Sequence, residues 1–278
     1  MPSVTCDEHE VRFMQSGNTL NAESIRSVLP EELIRWKVVY HATTDSTQSR
    51  ALELFRRDGQ GGILIITDAQ TAGRGRLSNR WIAPIGDALT FSLILLSGHA
   101  PGHLPLITFA AALSVCDAMR KMLSLDPDVK WPNDVLLSGR KVCGILTETV
   151  RDAAGNHGVV VGIGVNVNQR RSAFLGDLKD TATSLFIELG HGVDRLSMLG
   201  EIMRSFEENY FLYQKGEVQE IIRRWKNYSS MLGRRVSLMT SEGEISGSVL
   251  DLEDSGALVL RLDTGHTRSF FGSRCRYL

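Results

Sequence analysis

The segment Gln70-Thr-Ala-Gly-Arg-Gly-Arg-Leu-Ser-Asn-Arg-Trp81 gathers three arginines around two glycines. Gly73 and Gly75 lift the steric limits on the backbone, so amide N–H groups can come close to a ligand. Arg74, Arg76 and Arg80 bring positive charge to the same loop. A loop of this kind suits a carboxylate or a phosphate. It is not a Walker A loop, because Gly-x-x-x-x-Gly-Lys-Ser/Thr is absent. It is not a dinucleotide fingerprint, because Gly-x-Gly-x-x-Gly fails at Ser78 or Asn79. A basic hairpin facing solvent or nucleic acid would have the same composition.

Two lysine segments follow. In Lys130-Trp-Pro-Asn-Asp134, Pro132 fixes its own φ and biases Trp131 towards an extended conformation. Asn133 and Asp134 then offer acceptors at a turn, for a metal, a ribose or merely the turn itself. In Gly139-Arg-Lys-Val-Cys-Gly-Ile-Leu146, Lys141 opens an expected strand. There it is either a point charge for a carboxylate or phosphoryl group, or a solvated edge-strand lysine that deters aggregation. Gly144 lets a ligand or another backbone pass closely. Asp45-Ser-Thr-Gln48 opens a helix, and its hydroxyls either cap that helix or bind a small polar ligand at its positive end. Gly162-Ile-Gly-Val-Asn166 reads as a strand with two glycines, either a close-packed strand or bulge, or a flat wall beside a ligand with Asn166 at its end.

The elements that must position these residues alternate in type. Strands are expected at 36–40, 63–67 and 88–96, and helices at 46–57 and 104–123, the second apolar on most faces. Ser138-Gly139 marks a hairpin between 135–137 and 142–150, and a strand follows Gly155-Asn156. Residues 167–182 read as an irregular loop. Leu196, Leu199, Met203, Phe206 and Tyr210 fall at helical spacing, and 218–225 continues the helical stretch; both present core faces. After Gly233 four short strands, at 235–239, 244–250, 257–262 and 267–271, form a small β-barrel that must pack on a neighbour. Residues 1–35 form a short N-terminal extension, with helix starts at Asn21 and Pro30 and no basic recognition helix. The chain thus divides into 1–35, a main domain at 36–232 and a barrel at 233–278.

The 278 residues, 42% hydrophobic and 23% charged, are enough for a core that needs no disulfide or structural metal. A net charge of −1 excludes a whole-chain polyanion binder. Cys6, Cys116, Cys143 and Cys275 lack metal-ligand spacing and read as reduced thiols of a cytoplasmic protein. No export signal is evident, and Leu89–Leu96 is shorter than the ~20 residues that span a bilayer.

In this order, the segments Asp45-Ser-Thr, Gln70-Thr-Ala-Gly-Arg-Gly-Arg with Trp81, Lys130-Trp-Pro-Asn-Asp, Gly139-Arg-Lys-Val-Cys-Gly-Ile-Leu and Gly162-Ile-Gly-Val-Asn resemble the biotin–protein ligase family, over residues 36–278. Each motif alone is weak; their ordered conjunction is specific. The resemblance implies an α+β catalytic domain of the class II aminoacyl-tRNA synthetase-like group, a mixed β-sheet flanked by helices, with an SH3-like C-terminal barrel. It implies that biotin is activated with ATP to biotinyl-5′-AMP and passed to a lysine of a biotin carboxyl carrier protein. It implies that Ser46, Thr47, Gln48 and Gln70 line the biotin head-group site together with Gly144. Arg74, Gly75 and Arg76 would close over biotin and its adenylate. Trp81 would flank the adenine, and Lys141 would contact both the biotin carboxylate and the α-phosphate. Lys130, Asn133 and Asp134 would act at the phosphates and Mg²⁺, with Asp134 the metal ligand and Asn166 near the nucleotide.

Many relatives carry a further Gly and Arg after the Gly-Arg-Gly-Arg core, where this chain has Leu77-Ser78-Asn79 before Arg80. Some carry an N-terminal winged helix and repress biotin genes; residues 1–35 look too short and too weakly basic, so a monofunctional ligase is expected. The oligomeric expectation is a monomer or a homodimer, with no nucleic acid and no membrane as partner. The nearest rival is a lipoate–protein ligase; the Gly-Arg-Gly-Arg loop with its Trp favours biotin. A non-enzymatic nucleic-acid-binding protein is the rival of another class, and the near-neutral charge disfavours it.

Overall fold

The computed structural model describes residues 20–96 and 104–278. Much of the expected N-terminal extension, residues 1–19, and Cys6 with it, lies outside the described residues. Asn21 caps helix α1 (Ala22–Val28): its side chain accepts from the amides of Glu23 and Ser24, and Ser24 reciprocates in a capping box. The second expected helix start, at Pro30-Glu-Glu, does not form a helix. The amides of Leu33 and Ile34 and the indole N–H of Trp36 all donate to the buried Glu207 carboxylate, at 3.0, 3.2 and 2.9 Å. A tertiary acceptor has taken the donors that a helix would use.

The main sheet is built from β1 (Lys37–Thr44), β2 (Ile63–Gln70), β3 (Ala88–Leu96), β4 (Asp128–Lys130), β5 (Asp134–Leu137), β6 (Arg140–Arg151) and β7 (His157–Asn166). Its order is β1-β2-β3-β7-β6-β5-β4, with β1 and β2 parallel and the other pairs antiparallel. β6 is therefore an inner strand, so Lys141 is not an edge-strand lysine. Helix α2 (Thr47–Asp58) links β1 to β2 and is capped by Ser46 at its start and Gly59, at φ 63°, at its end.

One face of the sheet packs on α3 (Leu104–Leu123), the expected buried helix with its bounds unchanged. The region expected to be an irregular loop holds a 3₁₀ turn at Arg171–Ala173 and a helical turn α4 (Leu178–Thr181), followed by α5 (Leu185–Leu189). α6 (Arg195–Gln214) lies on α3, and Gly216 at φ 72° separates it from α7 (Val218–Tyr228). The large core, with Leu64, Phe91, Phe109, Ile163 and Phe206, lies on this side. The other face packs on α2 through Ala51, Leu52 and Phe55 against Ile63, Ile65, Ile94, Val150 and Val160.

The C-terminal sheet comprises β8 (Arg235–Thr240), β9 (Gly243–Leu252), β10 (Leu258–Leu262), β11 (Thr267–Phe270) and β12 (Arg274–Tyr277), in the order β11-β10-β9-β8-β12. β12 is a fifth strand beyond the four expected. Its alternating Arg-Cys-Arg-Tyr pattern buries Cys275 while Arg274 and Arg276 stay exposed. The module packs on the main domain: the Trp131 indole donates to the Gly256 carbonyl at 3.0 Å, and Lys130 Nζ lies 5.0 Å from the Tyr277 ring centroid. No helix of the described residues is long and apolar enough to cross a membrane. The three described cysteines are free and buried. Burial pushes the thiols of Cys116 and Cys143 well above their ordinary range and that of Cys275 up to about 11, so they are inert at neutral pH.

Candidate active site

Alternation along the strands creates the site. On the face that carries α2, β3 presents Thr90, Ser92 and Ile94; β7 presents Val160, Gly162, Gly164 and Asn166; β6 presents Gly144, Leu146, Glu148 and Val150. Ile94, Val150 and Val160 lie beneath α2. Beyond the N-terminus of α2 the same rows turn small and polar, and the face stays open. Gly144 pairs with Gly164, and Leu146 with Gly162, so the floor there is nearly bare backbone.

The floor is occupied from both sides. Gln48 lies flat across Gly162, where a Cβ would come within 2.5 Å of its Oε1. Its Nε2 donates to Glu148 at 2.9 Å, and Ser92 Oγ contacts both Thr47 Oγ1 (2.9 Å) and Gln48 Oε1 (3.2 Å). Gln70 accepts from the Thr47 amide at 2.8 Å. Ser46, Thr47 and Gln48 are thus buried in a polar network at the helix start. The Trp81 indole covers Gly164, where a Cβ would lie 2.5 Å from Cε2, and its Cζ3 stands 3.4 Å from the corresponding point on Gly144.

Lys141 reaches this floor because of a β-bulge. Between β5 and β6, Val135 pairs with Cys143 but Leu136 pairs with Lys141, which leaves Val142 unpaired. The extra residue turns Lys141 onto the face of Gly144; strict alternation would send it to the opposite side. Its Nζ lies 2.9 Å from the Gly144 Cβ point and pairs with Asp134 at 2.6 Å.

The Gly–Arg segment folds back as a hairpin. Arg74 and Arg80 pair, the Gly75 amide donates to Asn79 O at 2.8 Å, and the Trp81 amide donates to Gly73 O at 3.1 Å. Its tip, Leu77 and Ser78, takes positive φ values of 52° and 63°. Gly73 is compulsory, since a Cβ would meet Trp81 O at 2.3 Å. Each arginine is tied to a different element. Arg74 pairs with Glu148 on β6 at 2.8 Å, and Arg80 donates to Thr71 O at 2.9 Å. Arg76 donates to Asn133 Oδ1 at 2.9 Å and to the Gly272 carbonyl of the C-terminal module. Burial pulls the Arg76 guanidinium below its ordinary value, and Asp134 opposes this.

A cavity of 1080 Å³ lies above the floor. The residues to which the resemblance gives a role line it, from Ser46, Thr47, Gln48 and Gln70 through Arg74, Gly75, Arg76 and Trp81 to Lys130, Asn133, Asp134, Lys141, Gly144 and Asn166, whereas Gly73 does not. Their situations differ. Asn166 is buried, donates to Thr183 O at 2.9 Å and accepts from Gln169 at 2.9 Å, so its polar atoms serve the wall. Ser92, which also lines the cavity, was missed, and so was Glu148, which does not line it but joins Gln48 to Arg74. Thr90 and Ser92, two polar residues alternating within an aliphatic strand, were a readable signal for the first. Arg274, Arg276 and Tyr277, which also border the cavity, could not be found without strand β12.

A mixed sheet with an open glycine floor, ringed by Lys141, Arg74 and Arg76, defines a protein that brings anionic small molecules together. Residues 40–166 match the Biotin/lipoate A/B protein ligase family, and residues 231–275 match the Biotin protein ligase C terminal domain. The chain is 34% identical to the Bifunctional ligase/repressor BirA of Bacillus subtilis over 254 residues, covering 91% of this chain and 78% of that protein. It is 34% identical over 231 residues to the Biotin--[acetyl-CoA-carboxylase] ligase of Paracoccus denitrificans, covering 81% and 94%. Its fold is similar to that of the biotin protein ligase from Aquifex aeolicus in complex with biotin and ATP, with TM-score 0.76, 29% identity and coverage of 87% and 99%. The chain belongs to the biotin protein ligase family.

Proposed function

We propose that this protein activates biotin with ATP and transfers it to a lysine of a biotin carboxyl carrier protein. A biotin carboxylate oxygen attacks the α-phosphorus of ATP, and pyrophosphate leaves. The carrier's lysine amine then attacks the acyl carbon of biotinyl-5′-AMP, and AMP leaves. The observation that carries this reading is the convergence of Lys141 Nζ and the Trp81 ring above Gly144. One cation and one flat aromatic surface meet where a carboxylate and a nucleotide must lie side by side.

The first step forces two anions together, and fixed donors offset their repulsion. In this reading Lys141 holds the biotin carboxylate and the α-phosphate, and Arg74 and Arg76 with Gly75 close the hairpin over the adenylate. Ser46, Thr47, Gln48 and Gln70 receive the head group. Trp81 flanks the adenine, and Lys130, Asn133 and Asp134 serve the phosphates, with Asn166 shaping the end of the wall. No enzyme nucleophile is required, and a closed hairpin keeps water from the mixed anhydride. Mg²⁺ fits as an ion brought by the nucleotide phosphates. Asp134, Asp177 and Asp180 border the cavity, and no three His, Cys, Asp or Glu side chains among the described residues are grouped to cage a metal. An ion held by one carboxylate and phosphates does not need such a cage. It would neutralise phosphate charge. The division of labour assigns catalysis to residues 36–232 and closure of the cavity to 233–278. The reading without repressor function rests on the sparse basic residues of 1–35; tight, salt-sensitive operator binding would overturn it.

The direct test is incubation with ATP, Mg²⁺, labelled biotin and a carrier domain, with lipoate offered in parallel. Label transferred from biotin to the carrier is expected; an acyl-adenylate formed only from lipoate sinks the proposal. A Gly164→Ala variant probes the nucleotide wall. Its Cβ would displace the Trp81 indole, an overpacking of ~1–3 kcal/mol. The KM for ATP should rise by about tenfold while biotin affinity changes by less than about twofold. Pyrophosphate release at varied ATP reads the effect, and an unchanged KM places the adenine elsewhere.

A further inference from the structure

The Glu148 carboxylate links the arginine hairpin to the floor of the cavity. It stands on β6, on the row of Gly144 and Leu146, with its side chain 29% exposed. Oε1 accepts from Arg74 Nη2 at 2.8 Å, and Oε2 accepts from Gln48 Nε2 at 2.9 Å. Gln48 is a fixed anchor: it is 3% exposed, its Nε2 also lies 3.3 Å from the carbonyls of Leu146 and Val160, and Ser92 donates to its Oε1. The three arginines of the hairpin are not held alike. Arg80 reaches a neighbouring backbone carbonyl, and Arg76 spans the Asn133 turn and the C-terminal module. Only Arg74 pairs with a carboxylate on the sheet that forms the floor.

We propose that Glu148 is a positioning residue that ties Arg74 to the Gln48 anchor and thereby holds the hairpin shut over the acyl-adenylate. The proposal rests on the ligase reading above and adds to it a residue that acts through Arg74 and Gln48. An exposed pair between two mobile side chains contributes little. Here Glu148 is held in place by its hydrogen bond to the buried Gln48, so less entropy is lost when the hairpin docks. The clamp acts on closure, not on the in-line approach of carboxylate and phosphate, which Lys141 governs. Its loss should therefore appear in retention and in the KM for biotin, and not in the rate of the first turnover.

Glu148→Gln keeps the shape of the side chain and removes the charge that holds Arg74. Without carrier, pyrophosphate release beyond the first turnover reports adenylate that escapes and hydrolyses to biotin and AMP. This steady release should rise about tenfold in Glu148→Gln, and the KM for biotin should rise by a similar factor. The single-turnover rate of adenylation should stay within about threefold of wild type, and the thermal midpoint should not move. In Arg74→Ala the clamp is already gone, so adding Glu148→Gln should cause no further leakage. A wild-type protein that forms no biotinyl adenylate overturns the ligase reading itself. A wild type that forms it, with equal retention by Glu148→Gln or with additive leakage in the double variant, overturns the clamp alone.

Discussion

Lys141→Ala should lower the single-turnover rate of biotin adenylation by ~10²–10³-fold, the cost of removing one fixed donor from a developing anionic transition state. The bulge at Val142 holds the amine over the glycine floor, 2.6 Å from Asp134. An amine held in this way costs no reorganisation when charge develops on the phosphoryl oxygens. Lys141→Arg should not restore the rate, because a planar fork replaces a compact point charge in a space already bounded by Gly144 and Trp81. Removing the lysine also strips a half-buried carboxylate of its partner, so a modest loss of stability accompanies the loss of rate. Biotin-dependent pyrophosphate release within one turnover separates the two effects. A rate near that of wild type, in a protein that is fully folded, would remove Lys141 from the chemistry.

Arg76→Gly acts on a different step. Its guanidinium fastens the hairpin to Asn133 and to the Gly272 carbonyl, joining the loop, the Lys130–Asp134 turn and the C-terminal module. Hydrogen bonds from a charged donor contribute ~1.5–3 kcal/mol each. Losing about 3 kcal/mol of closure shifts the closed-to-open ratio by ~10². Acceptor-independent release of biotinyl-5′-AMP should therefore rise by about two orders of magnitude, more than for Glu148→Gln, because two elements are detached at once. Rapid filtration of enzyme loaded with labelled biotin and ATP measures the release. Retention equal to wild type would mean that the hairpin is shut by other contacts.

Much of the main domain was readable because its signals are local. The apolar run of 104–123 and the strand of 88–96 have the bounds their hydrophobic patterns indicate, and the Ser138-Gly139 turn adopts the positive φ values of 50° and 75° that a tight hairpin requires. Other elements depended on distant partners. Pro30-Glu-Glu has the composition of a helix start, yet Glu207, more than 170 residues away, takes the donors. The strand at 274–277 is too short and too charged to stand out, and it exists because β8 offers it an edge. Glu148 is one acid among many in the sequence. Its meaning comes from facing Gln48 on one side and Arg74 on the other.

The order of glycines, arginines and lysines along the chain was enough to determine which chemical groups this protein owns and the family it belongs to, because residue type and spacing are properties of the covalent chain. Where those groups meet was decided only by tertiary structure. The side to which a strand residue points has a period of two, so a single bulge reverses it. The bulge at Val142 forms through pairing with β5, and that pairing puts the Lys141 amine over Gly144 and not into the helix-packed core.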